Sequence, residues 1–202
     1  MNILVVSDVP DKRYWDFYRD GMLECYDLIL SAGDLPPQYL SYLVTFAKCP
    51  LFYVHGNHDD CYEQSPPEGC VCIDGKIVTY KGIRIMGLGG SARYKEGKNQ
   101  YTEKEMSKRI KRMKLKIKKN KGFDILLAHS PAYGMGDGND HVHKGFKCFV
   151  PLIEEYEPKY FFYGHQHLNY GQNKRQFTNG KTTFVNATKS VEVIYGEKVL
   201  SI

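Results

Sequence analysis

The chain has 202 residues, 42% of them hydrophobic and 25% charged, a composition that excludes disorder and collagen-like repeats and suffices for one compact domain spanning 1–202. No apolar run reaches the roughly 18 residues that span a bilayer, and the opening Met1-Asn2-Ile3-Leu4-Val5-Val6 runs into a strand pattern without a basic leader, so a cytoplasmic protein with no membrane partner is expected. Six cysteines form no Cys-x-x-Cys pair, which favours reduced thiols, and the net charge is +5.

Short apolar runs bounded by turn residues recur at 3–6, 28–30, 51–54, 83–88, 125–128, 160–163, 183–185 and 191–195, each of a length suited to a buried strand. Helical patterns at 38–48, 103–119 and 145–156 alternate with them, and the last forty or so residues read mainly as β. The order predicts an α/β layered domain whose ligands sit at the carboxyl ends of strands. The helix over 103–119 is the best defined. Thr102-x-x-Glu105 forms a capping box, Met106, Ile110, Met113 and Ile117 make one apolar face, and Gly122 supplies a left-handed stop.

That helix also carries the charge. From Lys104 through Lys121 there are ten Lys or Arg and one acid, Glu105, which leaves 18 basic and 22 acidic residues elsewhere. The excess positive charge is thus one helix on a slightly acidic body. The plain reading is a solvated face, and the alternative is a nucleic-acid contact.

Residues able to bind metal fall where the strands end. Asp8 follows the first run, Gly33-Asp34 the second, Gly56-Asn57-His58-Asp59 the third, His129 the fifth and Gly164-His165-Gln166-His167 the sixth. A lone histidine or aspartate is usually structural, but carboxylates, an amide and imidazoles converging on one sheet edge suit divalent cations, with glycines to turn the chain sharply beside them.

This series resembles the calcineurin-like metallophosphoesterase superfamily, whose signature runs Asp-x-His, Gly-Asp, Gly-Asn-His-Asp/Glu, His, Gly-His-x-His, over residues 1–168. The resemblance implies a four-layer αββα sandwich and a two-metal site at which a bridging hydroxide attacks a phosphoester. It assigns Asp34 as the bridging carboxylate, Asn57, His129 and His165 to the second ion, and Asp8 and His167 to the first. It makes His58 the phosphate contact and general acid, with Asp59 to orient it.

One letter departs from the pattern: Pro10 stands where the family has the histidine of Asp-x-His. Proline offers no ligand atom, so the first ion is expected to be held more weakly, in a shell of oxygen atoms. That favours Mn²⁺, with Fe, Zn²⁺ or Mg²⁺ as other candidates. Three compensations are conceivable: extra water, a contribution from Asp11, or recruitment of the first ion with substrate.

Two glycine-bearing loops flank these motifs. His141 and His143 lie in the segment after Gly134, and Arg93 lies in the stretch 87–94, so His143 and Arg93 are candidate substrate contacts, against the simpler reading of both segments as turns. His55 and the Cys70-x-Cys72 pair read as structural. Leu35-Pro36-Pro37 follows Gly33-Asp34 where protein phosphatases of the superfamily carry Asp-Arg, and a chain of this length is expected to have no cap domain. The resemblance therefore leans to the small bacterial phosphodiesterase-like branch and to a phosphodiester substrate. The alternatives are a scaffold that keeps the fold, as one retromer subunit of the superfamily does, and a nuclease guided by the basic helix.

Overall fold

The computed structural model describes residues 1–166 and 175–196. His167 lies outside the described residues. In chain order the strands are β1 (Asn2–Ser7), β2 (Leu28–Ser31), β3 (Leu51–Tyr53), β4 (Val71–Cys72), β5 (Ile77–Tyr80), β6 (Ile83–Leu88), β7 (Ser91–Ala92), β8 (Gln100–Tyr101), β9 (Ile125–Ala128), β10 (Tyr160–Tyr163), β11 (Gln176–Asn179), β12 (Thr182–Asn186) and β13 (Lys189–Ile194). Among the described residues three α-helices accompany them: α1 (Pro37–Phe46), α2 (Glu103–Lys119) and α3 (Phe149–Tyr156).

The strands form a five-stranded sheet in the order β13-β1-β2-β3-β4, a six-stranded sheet in the order β11-β12-β10-β9-β6-β5, and the small pair β7-β8. In the five-stranded sheet β1 to β4 run parallel and β13 is an antiparallel edge. In the other, β12, β10, β9 and β6 are parallel, flanked by antiparallel β11 and β5. Parallel central strands deliver all their carboxyl ends to one edge, which is why motifs far apart in sequence meet there.

Both sheets are buried on both faces, so their strands are apolar at successive positions rather than at alternate ones. Ile3 and Val5 of β1 join Ile85, Ile125, Leu127 and Phe162 in the core between the sheets. Leu4 and Val6 face the other way, onto Tyr39, Leu40 and Leu43 of α1. Phe161 and Tyr163 of β10 pack with Met106, Ile110, Met113 and Ile117 of α2 and with Phe149, Leu152 and Ile153 of α3. The layers are therefore α1, sheet, sheet, α2 with α3, the αββα sandwich that the resemblance implies.

The capping box of α2 is present, with Thr102 Oγ1 accepting from the Glu105 N–H at 3.3 Å and Glu105 Oε2 accepting from the Thr102 N–H at 2.7 Å. The left-handed turn after the helix uses Lys121 as well as Gly122 (φ 56° and 97°). Helix α3 starts at Phe149 rather than at residue 145. Gly145 is pressed against Ala132, where a Cβ would lie 2.4 Å from the Ala132 carbonyl carbon, and Phe146 bridges to Ala132 in an extended pairing. Strand β5, joined to β6 through a turn with Lys81 and Gly82 both at positive φ, is an edge that the apolar-run reading leaves out, whereas β6 matches the 83–88 run. Among the described residues no helix is long and apolar enough to cross a membrane.

Candidate metal centre

The carboxyl ends of the two sheets meet through backbone as well as side chains. Across the two sheets the Gly90 N–H donates to the His55 carbonyl at 2.7 Å, and within each sheet the Gly164 N–H donates to the His129 carbonyl at 2.9 Å and the Asp8 N–H to the Gly33 carbonyl at 3.0 Å. Space between them is minimal. A Cβ on Gly56 would lie 2.0 Å from Asp34 Oδ1, and one on Gly164 would lie 2.0 Å from Ser7 Oγ, so both glycines are required by close approach. Asp8, Asp34 and His165 all sit at positive φ (63°, 56° and 63°). This is an uncommon conformation for residues with side chains, and here it turns Asp34 and His165 away from their strands into one cluster, with Asp8 beside it against the His165 backbone.

Asp34, His129 and His165 each offer a ligand atom, and these atoms all lie within 4.8 Å of one another. His129 is fully buried and fixed at both nitrogens. Its Nδ1 lies 2.8 Å from the Ala32 carbonyl, an acceptor, so Nδ1 carries the proton and Nε2 is aimed into the site. There Nε2 lies 2.9 Å from Asn57 Oδ1 and 3.3 Å from Asp34 Oδ2. Burial works against charge on this ring, but the Asp34 carboxylate outweighs it and raises its pKa to about 9. Burial likewise pushes Asp34 up, and the charge and hydrogen bond of His129, with the His58 N–H, hold it down at about 2. The ring thus places a proton between two oxygen acceptors, the position a metal cation would fill, and the oxygen and nitrogen donors there fit a divalent ion.

His165 behaves differently. Burial and the neighbouring His129 charge lower its pKa to about 3, so the ring is neutral. Its Nε2 lies 2.9 Å from the Val142 carbonyl, which makes Nε2 the donor and leaves the lone pair on Nδ1. Asp8 receives the His165 N–H on Oδ1 at 2.9 Å and the Thr188 hydroxyl on Oδ2 at 3.1 Å.

The two residues named for acid chemistry take separate places. The His58 N–H donates to Asp34 Oδ1 at 2.7 Å, and the His58 side chain stands exposed at the rim. Asp59 is buried beneath it, with Oδ2 accepting the N–H groups of Asp34 at 2.8 Å and Gly56 at 2.7 Å. Burial and the Asp34 charge raise the Asp59 pKa to about 6. Asp59 therefore braces the backbone of the Asp34 and Gly56 turns, and these hydrogen bonds run to backbone rather than to the His58 ring.

Of the loop candidates, His143 packs on His165 with ring centroids 5.4 Å apart and pairs through Nδ1 with Asp140 at 2.9 Å. Arg93 points elsewhere, to Glu105 Oε2 at 3.0 Å in the capping box of α2. Its neighbour Tyr94 is the one that reaches the site, with its hydroxyl 3.2 Å from Asn57 Nδ2. Asp11 is occupied too, by Arg13 and Ser190, and takes no part around Asp8. Sequence reading missed Tyr94, Thr188 and Asn186, whose Nδ2 donates to the Gln166 carbonyl at 2.8 Å. The strand-end rule applied to the 183–185 run would have found the last two.

The sequence pattern of the calcineurin-like phosphoesterases matches residues 1–169. The chain belongs to the calcineurin-like phosphoesterase family. Solved structures share its fold at low identity. One is TT1561 of Thermus thermophilus, at 17% identity and TM-score 0.59, covering 93% of this chain and 88% of that one. Another is GAP50, described as the anchor in the inner membrane complex of Plasmodium, at 12% identity and TM-score 0.57, covering 94% of this chain and 71% of that one. No curated protein matches the sequence. Membership supports metal-dependent phosphoester hydrolysis, with Asp34, His129 and His165 as a candidate metal-ligand triad.

Proposed function

We propose that this phosphoesterase is a single domain that hydrolyses a phosphodiester at a dinuclear centre. Asp34, Asn57, His129 and His165 would hold one ion, and Asp8 and His167, with Asp34 shared, would hold the other. The observation that carries this reading is the convergence of Asp34, His129 and His165, with the His58 N–H pinned to the same Asp34 carboxylate. Bound divalent ions would supply positive charge against the phosphoryl oxygens and lower the pKa of the attacking water. The chain does the rest. The Ala32 carbonyl holds the tautomer of His129, Asp59 keeps the Asp34 and Gly56 turns in register, and His58 at the rim delivers a proton to the departing alkoxide.

The oxygen-rich surroundings of Asp8, with the Thr188 hydroxyl beside it and proline at position 10, favour Mn²⁺ for the weaker position. Pro10 also supports a second reading, a scaffold that has drifted from catalysis, which the description of GAP50 as an anchor parallels. Retention of Asp34, Asn57, His58, His129 and His165 weighs for the enzyme. Hydrolysis of bis-p-nitrophenyl phosphate and of p-nitrophenyl phosphate with added Mn²⁺ separates the readings. The enzyme shows Mn²⁺-dependent turnover that favours the diester and disappears in Asp34→Ala. Absence of any metal-dependent turnover supports the scaffold.

A further inference from the structure

Helix α2 is tied into the molecule by one apolar face, by Arg109, and by the acids of its first turn, with Glu103 accepting from the Lys147 and Cys148 N–H groups and Glu105 pairing with Arg93. Met106, Ile110, Met113 and Ile117 are buried against the six-stranded sheet. Arg109 donates to Asp74 at 2.6 Å and to the Gly89 carbonyl at 2.7 Å. The other cations from Lys104 through Lys121 have no carboxylate within ion-pair distance among the described residues. Lys104, Lys108, Lys111, Leu115 and Lys118 follow one another at steps of four and three, so they form a single outward ridge along a helix of 17 residues. Such a helix is about 25 Å long.

The ridge connects two places. At its start, Glu105 holds Arg93, whose neighbour Tyr94 reaches Asn57 of the metal centre. At its end, an open hollow of about 530 Å³ is lined by Lys114, Lys118 and Lys121 together with Tyr156 and Glu155. Its floor is the Arg84 guanidinium, fixed by Asp124 and by the carbonyls of Asn120 and Lys121. Tyr156 is half-buried there, backed by Phe123 at a ring-centroid distance of 5.5 Å.

We propose that this ridge and hollow bind single-stranded nucleic acid, with phosphates along the lysines and a base stacked on Tyr156. Rows of cations without carboxylate partners next to an aromatic ring are the arrangement that holds a single strand, cations on the backbone and π-faces on the bases. An anionic membrane is the weaker match. A helix that lies on lipid inserts an apolar face, whereas the apolar face of α2 is covered by the sheet, and the ridge offers only Leu115, 82% exposed, among lysines. A strand laid along α2 would run from the hollow toward the edge of the metal centre. Binding stands apart from the hydrolytic reading, because it is measured without turnover.

The test is equilibrium binding of a labelled single-stranded oligonucleotide to the whole chain in chelator, as a function of salt. Single strands lose affinity with a slope of about 0.7 per neutralised phosphate on logarithmic axes. The combined change Lys108→Glu, Lys111→Glu and Lys118→Glu should therefore lower that slope by about 2 and weaken binding at least about tenfold. The matched change Lys12→Glu, Lys48→Glu and Lys81→Glu, on the side of the five-stranded sheet away from α2, should leave both nearly as they were. Tyr156→Leu should weaken the single strand about fivefold while leaving a duplex of the same length unaffected. Equal losses in the two triple variants, no oligonucleotide binding at all, or binding of phosphatidylserine vesicles in its place would overturn the proposal, as would indifference to Tyr156→Leu.

Discussion

The two halves of the metal centre are built differently. On the His129 side His129 and Asn57 are buried and most contacts run to backbone: Ala32 fixes the imidazole, the His58 N–H fixes Asp34, and Asp59 fixes the turns from below, while the Asn57 amide rests on His129 and Tyr94. On the Asp8 side the carboxylate is held by one backbone N–H, from His165, and one rotatable hydroxyl, from Thr188, with Pro10 nearby and no imidazole from that loop. A donor set whose orientation is fixed beforehand loses little freedom on binding an ion, while an adaptable one must be ordered by it. The difference predicts unequal grip on two ions by one active site.

In the proposed dinuclear centre Asp34 joins the halves, so its loss should be felt in both. Asp34→Ala is expected to reduce Mn²⁺-dependent turnover about a thousandfold or more, with elemental analysis showing loss of metal at both positions. Retention of one tight equivalent would mean that Asp34 does not bridge. The next effect should come from His58. Removing a general acid costs about 10²- to 10⁴-fold when the leaving group is a poor one. His58→Ala should therefore cripple hydrolysis of an alkyl phosphodiester and spare bis-p-nitrophenyl phosphate, whose leaving group departs without a proton. Equal losses on both substrates would make His58 a phosphate contact alone.

Pro10→His puts an imidazole into the weaker half. The Mn²⁺ concentration for half-maximal activity should fall about tenfold, in line with what a single supporting interaction contributes at a metal site. The signal is a shift in the metal titration with little change at saturating Mn²⁺. An unchanged titration would mean that the Asp8 side is already as tight as the His129 side.

The central parallel strands are legible because their apolar runs are short and bounded by turns, unlike the two-residue strands β4, β7 and β8, and every strand-end motif within the described residues arrives at one edge for that reason. What escaped notice is held by backbone or arrives late in the chain. No side-chain pattern marks the Ala32 and Val142 carbonyls that orient His129 and His165. Arg93 looked like an anion contact because it is cationic and follows glycines, yet the β7–β8 pair turns it onto Glu105 and delivers Tyr94 in its place. Asp11, three residues beyond Asp8, sits in a sequence rich in charge, and Arg13 is close enough to claim it first.

That last pair allows the smallest test of the contrast. Asp11 is 2% exposed, and burial pushes its carboxyl up, but the hydrogen bonds from Arg13 and Ser190 prevail and hold it below its ordinary value. A carboxyl with a lowered folded pKa stabilises the fold above its unfolded pKa, and that contribution fades as pH falls through the folded value. Arg13→Ala removes the contacts from Nε and Nη2 to Asp11 Oδ2, at 3.1 and 3.0 Å, and leaves a buried carboxylate short of donors. The cost at neutral pH should be about 1–2 kcal/mol, a fall in Tm of roughly 3–6 °C. It should shrink toward acid pH, where Asp11 is protonated in both proteins. The pair ties the Asp8 loop to β13 through Ser190 and supplies no ligand, so the Mn²⁺ titration of Arg13→Ala should move far less than that of Pro10→His. An equal shift would place Asp11 and Arg13 among the groups that shape the weaker half of the centre.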